Sequence, residues 1–74
     1  MPSPKSLLII DDDDDLREAL AEQLALHEEF RPIQAATAAD GLKLGRETRA
    51  ELILLDVDLP DMDGREACRL LRKD

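Results

Sequence analysis

The sequence predicts an α/β fold in which three short strands form a parallel sheet and alternate with helices. Two apolar runs without polar alternation, Leu7 to Ile10 and Leu52 to Leu55, are typical of strands that are covered on both faces. A segment with helical spacing of its apolar residues follows each strand. Strands that alternate with helices in this way are joined by right-handed crossovers into one parallel sheet, which has helices on both faces.

Helix one is predicted from about Asp14 to His27, directly behind a first strand that covers residues 6–10. Its apolar residues recur at helical spacing and form one stripe, which consists of Leu16, Ala19, Leu20 and Leu24. Asp13 or Asp14 can accept hydrogen bonds from the exposed backbone N–H groups at the helix start, and Asp15 suits the positive end of the helix dipole. Part of the run of five Asp residues therefore serves the helix itself.

The second strand is predicted over Phe30 to Ala35. Pro32 inside it has no N–H to donate, so either this strand belongs at the edge of the sheet or Pro32 lies at a strand end. If the strand is outermost, the sheet order is 2-1-3, with the first strand in the centre. Helix two is predicted from Ala38 to about Glu47, behind a capping Thr37.

The third strand is predicted over Leu52 to Leu55, and a turn at Pro60 leads from it to helix three. This last helix is predicted from Gly64 to Arg72, and Asp63 is placed to cap its start. Its apolar side consists of Ala67, Leu70 and Leu71.

The bulk composition narrows the classes of partner. A formal net charge of -8 argues against direct contact with nucleic acid or an anionic membrane, because both require a basic surface. A metal cation or a basic protein is the expected partner. The apolar run after the N-terminus is too short for a signal sequence or a membrane span, and Cys68 alone cannot form an intramolecular disulfide. These features predict a soluble, cytoplasmic chain.

Three carboxylates are expected at one edge of the sheet. Asp11 and Asp12 follow the first strand, and Asp56 follows the third, which is its neighbour in the 2-1-3 order. Ligands of open α/β sheets bind at the carboxyl ends of the strands. Two ionised carboxylates about 4 Å apart near a surface repel each other by about 4 kcal/mol, so a divalent cation is expected between them. Oxygen donors suit Mg²⁺, beside which Asp56 can act as a covalent phosphoryl acceptor.

The segments LLIIDDD, LREAL and ILLDVDLPDMDG resemble parts of the response-regulator receiver domains of two-component signalling. The third segment carries the family's pattern of apolar run, Asp, two residues, Leu or Met, Pro, two residues, Asp and Gly. The resemblance extends from Lys5 to Arg72. It implies that residues 1–74 form the N-terminal portion of a single receiver domain with a truncated flavodoxin-like fold.

The same resemblance implies roles for the acidic residues. Asp56 would accept a phosphoryl group from a sensor histidine kinase. Mg²⁺ would be held by Asp11, Asp12 and Asp56, and the backbone carbonyl of Asp58 would complete the protein ligands. The chain would then be a phosphoacceptor signalling module rather than an enzyme.

The family's full pattern also includes residues that this sequence lacks, namely a Thr or Ser after strand four and a Lys after strand five. The segment DGREACRLLRK resembles receivers that are attached to winged-helix DNA-binding regulators, so a DNA-binding output domain is expected. The third strand is expected to remain an open edge. Such an edge favours association with another chain, as a homodimer or by exchange of elements.

Two other site classes compete with this interpretation. DVDLP resembles the nucleophile motif of haloacid-dehalogenase phosphatases, in which Asp56 would be the nucleophile, but Pro60 replaces the usual Thr or Val. In those phosphatases the motif also lies on the first strand of the fold, whereas here it follows the third predicted strand. An EF-hand calcium loop with Gly64 at its sixth position would require ligands at Leu59 and Leu70, which have none to offer.

Overall fold

The chain forms the predicted order of strands and helices in a computed structural model that describes residues 4–56 and 59–72. The elements are β1 (Lys5–Ile10), α1 (Asp14–Ala25), β2 (Phe30–Ala35), α2 (Ala38–Thr48), β3 (Leu52–Leu55) and α3 (Gly64–Arg72). The boundaries differ little from the predicted ones. The largest difference is that α1 ends at Ala25 instead of His27.

The three strands form one parallel sheet in the order β2-β1-β3. This confirms the edge position that Pro32 predicted for β2. In the register of the sheet, Ile10 of β1 lies beside Ala35 of β2 and beside Leu55 of β3. The three strands therefore end at the same level, and the residues that follow them meet at one edge.

The central strand β1 is covered on both faces, as predicted. Leu7 and Ile9 face α1 and form one apolar cluster with Ala21 of that helix. Leu8 and Ile10 face α2 and α3 and form a second cluster. Burial of a side chain of this size stabilises the fold by roughly 1.5–3 kcal/mol, so β1 anchors both layers of helices.

Strand β3 corrects the prediction that it would be covered on both faces. The exposed fractions of Leu52, Ile53 and Leu54 are 43%, 37% and 44%. The reason is that β3 is hydrogen-bonded to β1 on one side only, while α1 packs against β2 and β1. Leu16, predicted in the apolar stripe of α1, is likewise 49% exposed, because the helix buries Ala21 towards the sheet instead.

Two glycines let α2 pack closely against its neighbours. From the sequence alone each would weaken the helix by about 1 kcal/mol relative to Ala. A Cβ atom on Gly41 would lie 2.4 Å from Cδ1 of Ile10, and one on Gly45 would lie 2.9 Å from Cδ2 of Leu71. The missing side chains therefore allow the helix to approach β1 and α3.

Arg49 ends α2 in the left-handed region, with φ 53° and ψ 51°, and its N–H donates to the carbonyl of Gly45. The left-handed conformation reduces the folding stability contributed by a residue with a Cβ atom by roughly 1–2 kcal/mol, whereas glycine adopts it freely. We expect Arg49→Gly to raise the free energy of unfolding by about 1 kcal/mol. Urea unfolding followed by far-UV circular dichroism measures the change.

The matched control is Lys43→Gly, in the exposed interior of the same helix. It should lower stability by about 1 kcal/mol, since the helical conformation there gives glycine no advantage. Equal effects of the two substitutions would contradict the role assigned to the left-handed conformation.

Candidate functional site

Three carboxylates meet where β1 and β3 end. Asp11 and Asp56 are half-buried, and Asp12 is exposed. One carboxylate oxygen from each residue lies within 4.8 Å of the other two. The structure thus brings together the side chains that the 2-1-3 order predicted at this edge; we call them the acidic cluster.

Asp56 is tied to the central strand by its main chain. Its backbone N–H donates to the carbonyl of Ile10 at 2.9 Å, which extends the β1–β3 ladder by one bond. Ile10 directly precedes Asp11. The ladder therefore determines how far the carboxylate of Asp56 lies from the carboxylates that follow β1.

Asp11 is held through three of its atoms. Its N–H donates to the carbonyl of Ala35 at 3.1 Å. Its Oδ1 accepts from the N–H of Asp13 at 2.9 Å, and its carbonyl oxygen accepts from Nη1 of Arg17 at 2.8 Å. Asp11 is therefore fixed to β2 and to α1, with its second carboxylate oxygen outside these bonds.

The electrostatics of the acidic cluster favour a cation. The pKa of Asp12 lies above its ordinary value, chiefly because its carboxyl group is partly desolvated, although the residue as a whole is exposed. A hydrogen bond with the side chain of Asp56, and the negative charges of Asp56 and Asp11, raise it further. Three oxygen donors with mutual repulsion fit a hard divalent ion such as Mg²⁺. Asp58, the other predicted ligand, lies outside the described residues.

The turn into α3 is fastened by Asp61, a contact that the sequence did not reveal. Its carboxylate accepts from the N–H of Ala38 at 2.9 Å and from the N–H of Ala39 at 3.0 Å, in the first turn of α2. These two bonds lower the pKa of Asp61. A cap more than 20 residues away along the chain has no local sequence signal, whereas the predicted caps Asp13 and Thr37 act on the helices that follow them.

The cap at Asp61 predicts a pH-dependent loss of stability. The pKa of Asp61 in the folded chain lies below its ordinary value of 3.8, so its stabilisation is complete above that value and is lost as the pH falls through the folded-state pKa. We expect Asp61→Ala to lower the midpoint of urea unfolding at pH 7, with a difference from wild type that shrinks towards pH 3. Glu22→Ala, which removes an exposed carboxylate from α1, is the control. A pH-independent difference for Asp61→Ala would contradict the assignment.

His27 and Cys68, whose side-chain types can also bind metals, lie outside the acidic cluster. His27 is exposed just after α1, and its backbone N–H donates to the carbonyl of Leu24. Cys68 is a half-buried free thiol on α3. Neither is among the residues that the structure brings together at the strand ends.

The sequence pattern that defines the response regulator receiver domain matches residues 7–74. The chain belongs to this family. The receiver is a signalling domain of two-component systems. In this receiver, the motif DVDLP starts directly after the third strand. Since the phosphatase motif lies on a first strand, this position argues against the phosphatase alternative.

The curated relatives include regulators of transcription. The transcriptional regulatory protein AfsQ1 of Streptomyces coelicolor is 52% identical over 68 residues, which cover 92% of this chain and 30% of AfsQ1. The DNA-binding response regulator MtrA of Mycolicibacterium smegmatis is 40% identical over 71 residues, which cover 92% of this chain and 29% of MtrA. The receiver segment therefore spans about a third of the length of these regulators and corresponds to their N-terminal part.

Solved structures agree on the fold. A CheY-like receiver domain protein of Methanospirillum hungatei is similar with a TM-score of 0.86 and 35% identity, over 96% of this chain and 56% of that one. The response regulator domain of Thermotoga maritima CheB has a TM-score of 0.88 at 21% identity, over 95% of this chain and 53% of that one, and supports the fold alone. The receiver segment is thus a truncated flavodoxin-like fold. Within the described residues, each helix is too short or too polar to cross a membrane.

Proposed function

We propose that this receiver segment accepts a phosphoryl group on Asp56 from the phosphohistidine of a sensor histidine kinase. We further propose that Asp11, Asp12 and Asp56 bind the Mg²⁺ ion for this transfer, with the backbone carbonyl of Asp58 as an additional ligand. The supporting observation is the acidic cluster itself, in which carboxylate oxygens of three residues lie within 4.8 Å at the carboxyl ends of β1 and β3.

The chemistry follows from the position of Asp56. One of its carboxylate oxygens attacks phosphorus while the bond from phosphorus to the histidine nitrogen breaks, and the imidazole leaves with the electron pair and takes up a proton. Bound Mg²⁺ would neutralise charge on the transferred phosphoryl oxygens. Asp11, held through its carbonyl, N–H and Oδ1, supplies a preorganised oxygen, while Asp12 supplies a solvent-exposed one.

The test uses two proteins. One is the 74-residue chain, and the other is a chimera in which the remainder of the AfsQ1 receiver follows it. Both are incubated with acetyl phosphate, with Mg²⁺ or with EDTA, and analysed by intact mass and peptide mapping. We expect a single acid-stable, base-labile adduct on Asp56 of the chimera, formed only with Mg²⁺. An adduct on another residue would contradict the proposal, and sustained hydrolysis of phosphate esters would support the phosphatase instead.

The context of the segment is part of the same proposal. Residues 1–74 are the N-terminal portion of one receiver domain, located in the cytoplasm, where a free thiol such as Cys68 stays reduced. Its relatives include DNA-binding response regulators, so the controlled output is proposed to be a DNA-binding domain. A net charge of -8 makes direct nucleic-acid contact by this segment itself unfavourable.

We also propose that, in the isolated 74-residue chain, the outer edge of β3 pairs with β3 of a second copy. Three consecutive apolar side chains, Leu52, Ile53 and Leu54, are exposed there, and the strand carries no Lys or Pro to discourage pairing. Because both copies are acidic, added salt screens their repulsion and should raise the dimer fraction. Sedimentation equilibrium between 0.02 and about 0.5 M salt tests this, since the Debye length shortens several-fold over that range.

A charge at the centre of the strand is expected to block this dimer. Ile53→Lys should give a monomer at concentrations where the wild type associates, because an edge Lys opposes strand pairing. Leu26→Lys is the control, since Leu26 is 77% exposed at the end of α1, away from the edge. A wild type that remains an 8.3 kDa monomer at every salt concentration would rule out the dimer, and a dimer that survives Ile53→Lys would indicate exchange of elements instead.

A further inference from the structure

Arg17 is a nearly buried cation beside the acidic cluster. Its side chain is 12% exposed, and each guanidinium nitrogen has an acceptor. Nη1 donates to the carbonyl of Asp11 at 2.8 Å, and Nε donates to Oε1 of Gln34 at 3.2 Å. Nη2 lies 2.8 Å from Oδ1 of Asp14. One side chain thus connects α1, the end of β2 and the loop that carries the acidic cluster.

The bond to Asp11 is the one that bears on the site. It is partly buried and has a charged donor, and such bonds are stronger than those between neutral groups. It fixes the peptide unit that joins Asp11 to Asp12, and both residues contribute carboxylates to the cluster. A rotation of this peptide unit would move both carboxylates relative to Asp56.

We infer that Arg17 is a positioning residue for the metal site, acting through the main chain of Asp11 and touching neither ion nor phosphoryl group. This inference rests on the proposed function of the acidic cluster as a Mg²⁺ site. The guanidinium is specifically required, because a planar fork reaches three acceptors in fixed directions whereas an ammonium group offers a single nitrogen.

Charge and geometry have opposite effects on metal affinity at this position. A cation close to the acidic cluster repels a second cation. If Arg17 acted through its charge alone, its replacement by a neutral side chain would therefore make the cluster bind Mg²⁺ more tightly. A positioning residue gives the reverse, because its loss misaligns the ligands. Arg17→Lys keeps the charge and removes the fork, and Arg17→Gln removes both.

The experiment measures the Mg²⁺ dissociation constant by isothermal titration calorimetry for the wild-type 74-residue chain, Arg17→Lys and Arg17→Gln. Substitution of groups that orient metal ligands typically costs 10- to 100-fold in affinity, so we expect about 10-fold weaker binding for Arg17→Lys and no gain for Arg17→Gln. Arg31→Lys is the matched control, because Arg31 donates to Ser6 Oγ near the opposite end of β1. Unchanged affinity in Arg17→Lys, or tighter binding in Arg17→Gln, would overturn the inference.

Two further measurements separate the possible failures. Asp11→Asn shows whether the acidic cluster is the binding site: if the wild type binds no Mg²⁺, or if Asp11→Asn binds as tightly as wild type, the proposed function itself fails. If Asp11→Asn weakens binding and Arg17→Lys does not, only the inference about Arg17 fails. Folding of each variant is checked by circular dichroism, with sucrose added to all samples to stabilise the folded state. Without metal, the NMR amide resonances of Asp11 and Asp13 should shift in Arg17→Lys and stay in place in Arg31→Lys.

Discussion

Asp56→Asn is expected to abolish the phosphoryl adduct in the chimeric receiver, with no signal above that of the EDTA control. An amide oxygen is a far weaker nucleophile than a carboxylate, and the substitution also removes one of three anionic donors from the acidic cluster. Intact mass after incubation with acetyl phosphate and Mg²⁺ measures the loss.

The same substitution should stabilise the fold when metal is absent. Desolvation chiefly raises the pKa of Asp12, and the hydrogen bond with Asp56 and the negative charge of Asp56 raise it further, so the ionised cluster opposes folding at neutral pH. Removal of that charge should raise the midpoint of urea unfolding in EDTA and should lower the pKa of Asp12 towards its ordinary value. Asp15→Asn, at an exposed position in the first turn of α1, is the control and should keep the adduct. An adduct that persists in Asp56→Asn would place the acceptor elsewhere.

Gly41→Ala is expected to lower the free energy of unfolding by about 1–3 kcal/mol, against the usual preference for Ala in helices. The added Cβ would lie 2.4 Å from Cδ1 and 2.8 Å from Cγ1 of Ile10, a side chain that is 1% exposed. Ile10 has little room to yield, so α2 must move away from β1. Urea unfolding followed by circular dichroism measures the loss.

A second glycine and a double substitution test this explanation. Gly45→Ala should be milder, because its nearest neighbour is the terminal Cδ2 of the half-buried Leu71 at 2.9 Å. Ile10→Ala alone should cost about 2–5 kcal/mol through the cavity it leaves, and its combination with Gly41→Ala should cost less than the sum, since the new methyl group occupies part of that cavity. Additive effects would show that the two side chains do not compete for the same space.

The order of elements and the place of the site followed from local patterns in the sequence. Continuous apolar runs predicted the strands, and helical spacing with capping residues predicted the helices. The missing N–H of Pro32 favoured an edge position for β2, and with β2 outermost the strands β1 and β3 are neighbours whose ends meet. The adjacency of Asp11, Asp12 and Asp56 was therefore a consequence of topology, and the structure shows it.

What the sequence did not reveal depends on contacts between distant segments. The apolar run Leu52 to Leu55 has the sequence of a buried strand, but burial depends on which elements pack beside that strand. In the described part of the structure, three of these four side chains are exposed. Gly41 looked like a defect in a helix, since its partner Ile10 precedes it by more than 30 residues. Asp61 and Arg17 are ordinary surface charges in the sequence, and only the folded chain shows which backbone atoms they hold.

Because the N–H of Asp56 donates to the carbonyl of Ile10, the distances within the acidic cluster depend on the register of β3 against β1. A slip of β3 along β1 by one residue would exchange the faces of all its side chains. A slip by two residues would preserve the faces but move Asp56 by about 6.6 Å along the sheet, more than the 4.8 Å that now spans the three carboxylates. An ion that requires all three carboxylates would therefore select a single alignment of the two strands. Its binding would stabilise the chain in the native register over slipped registers.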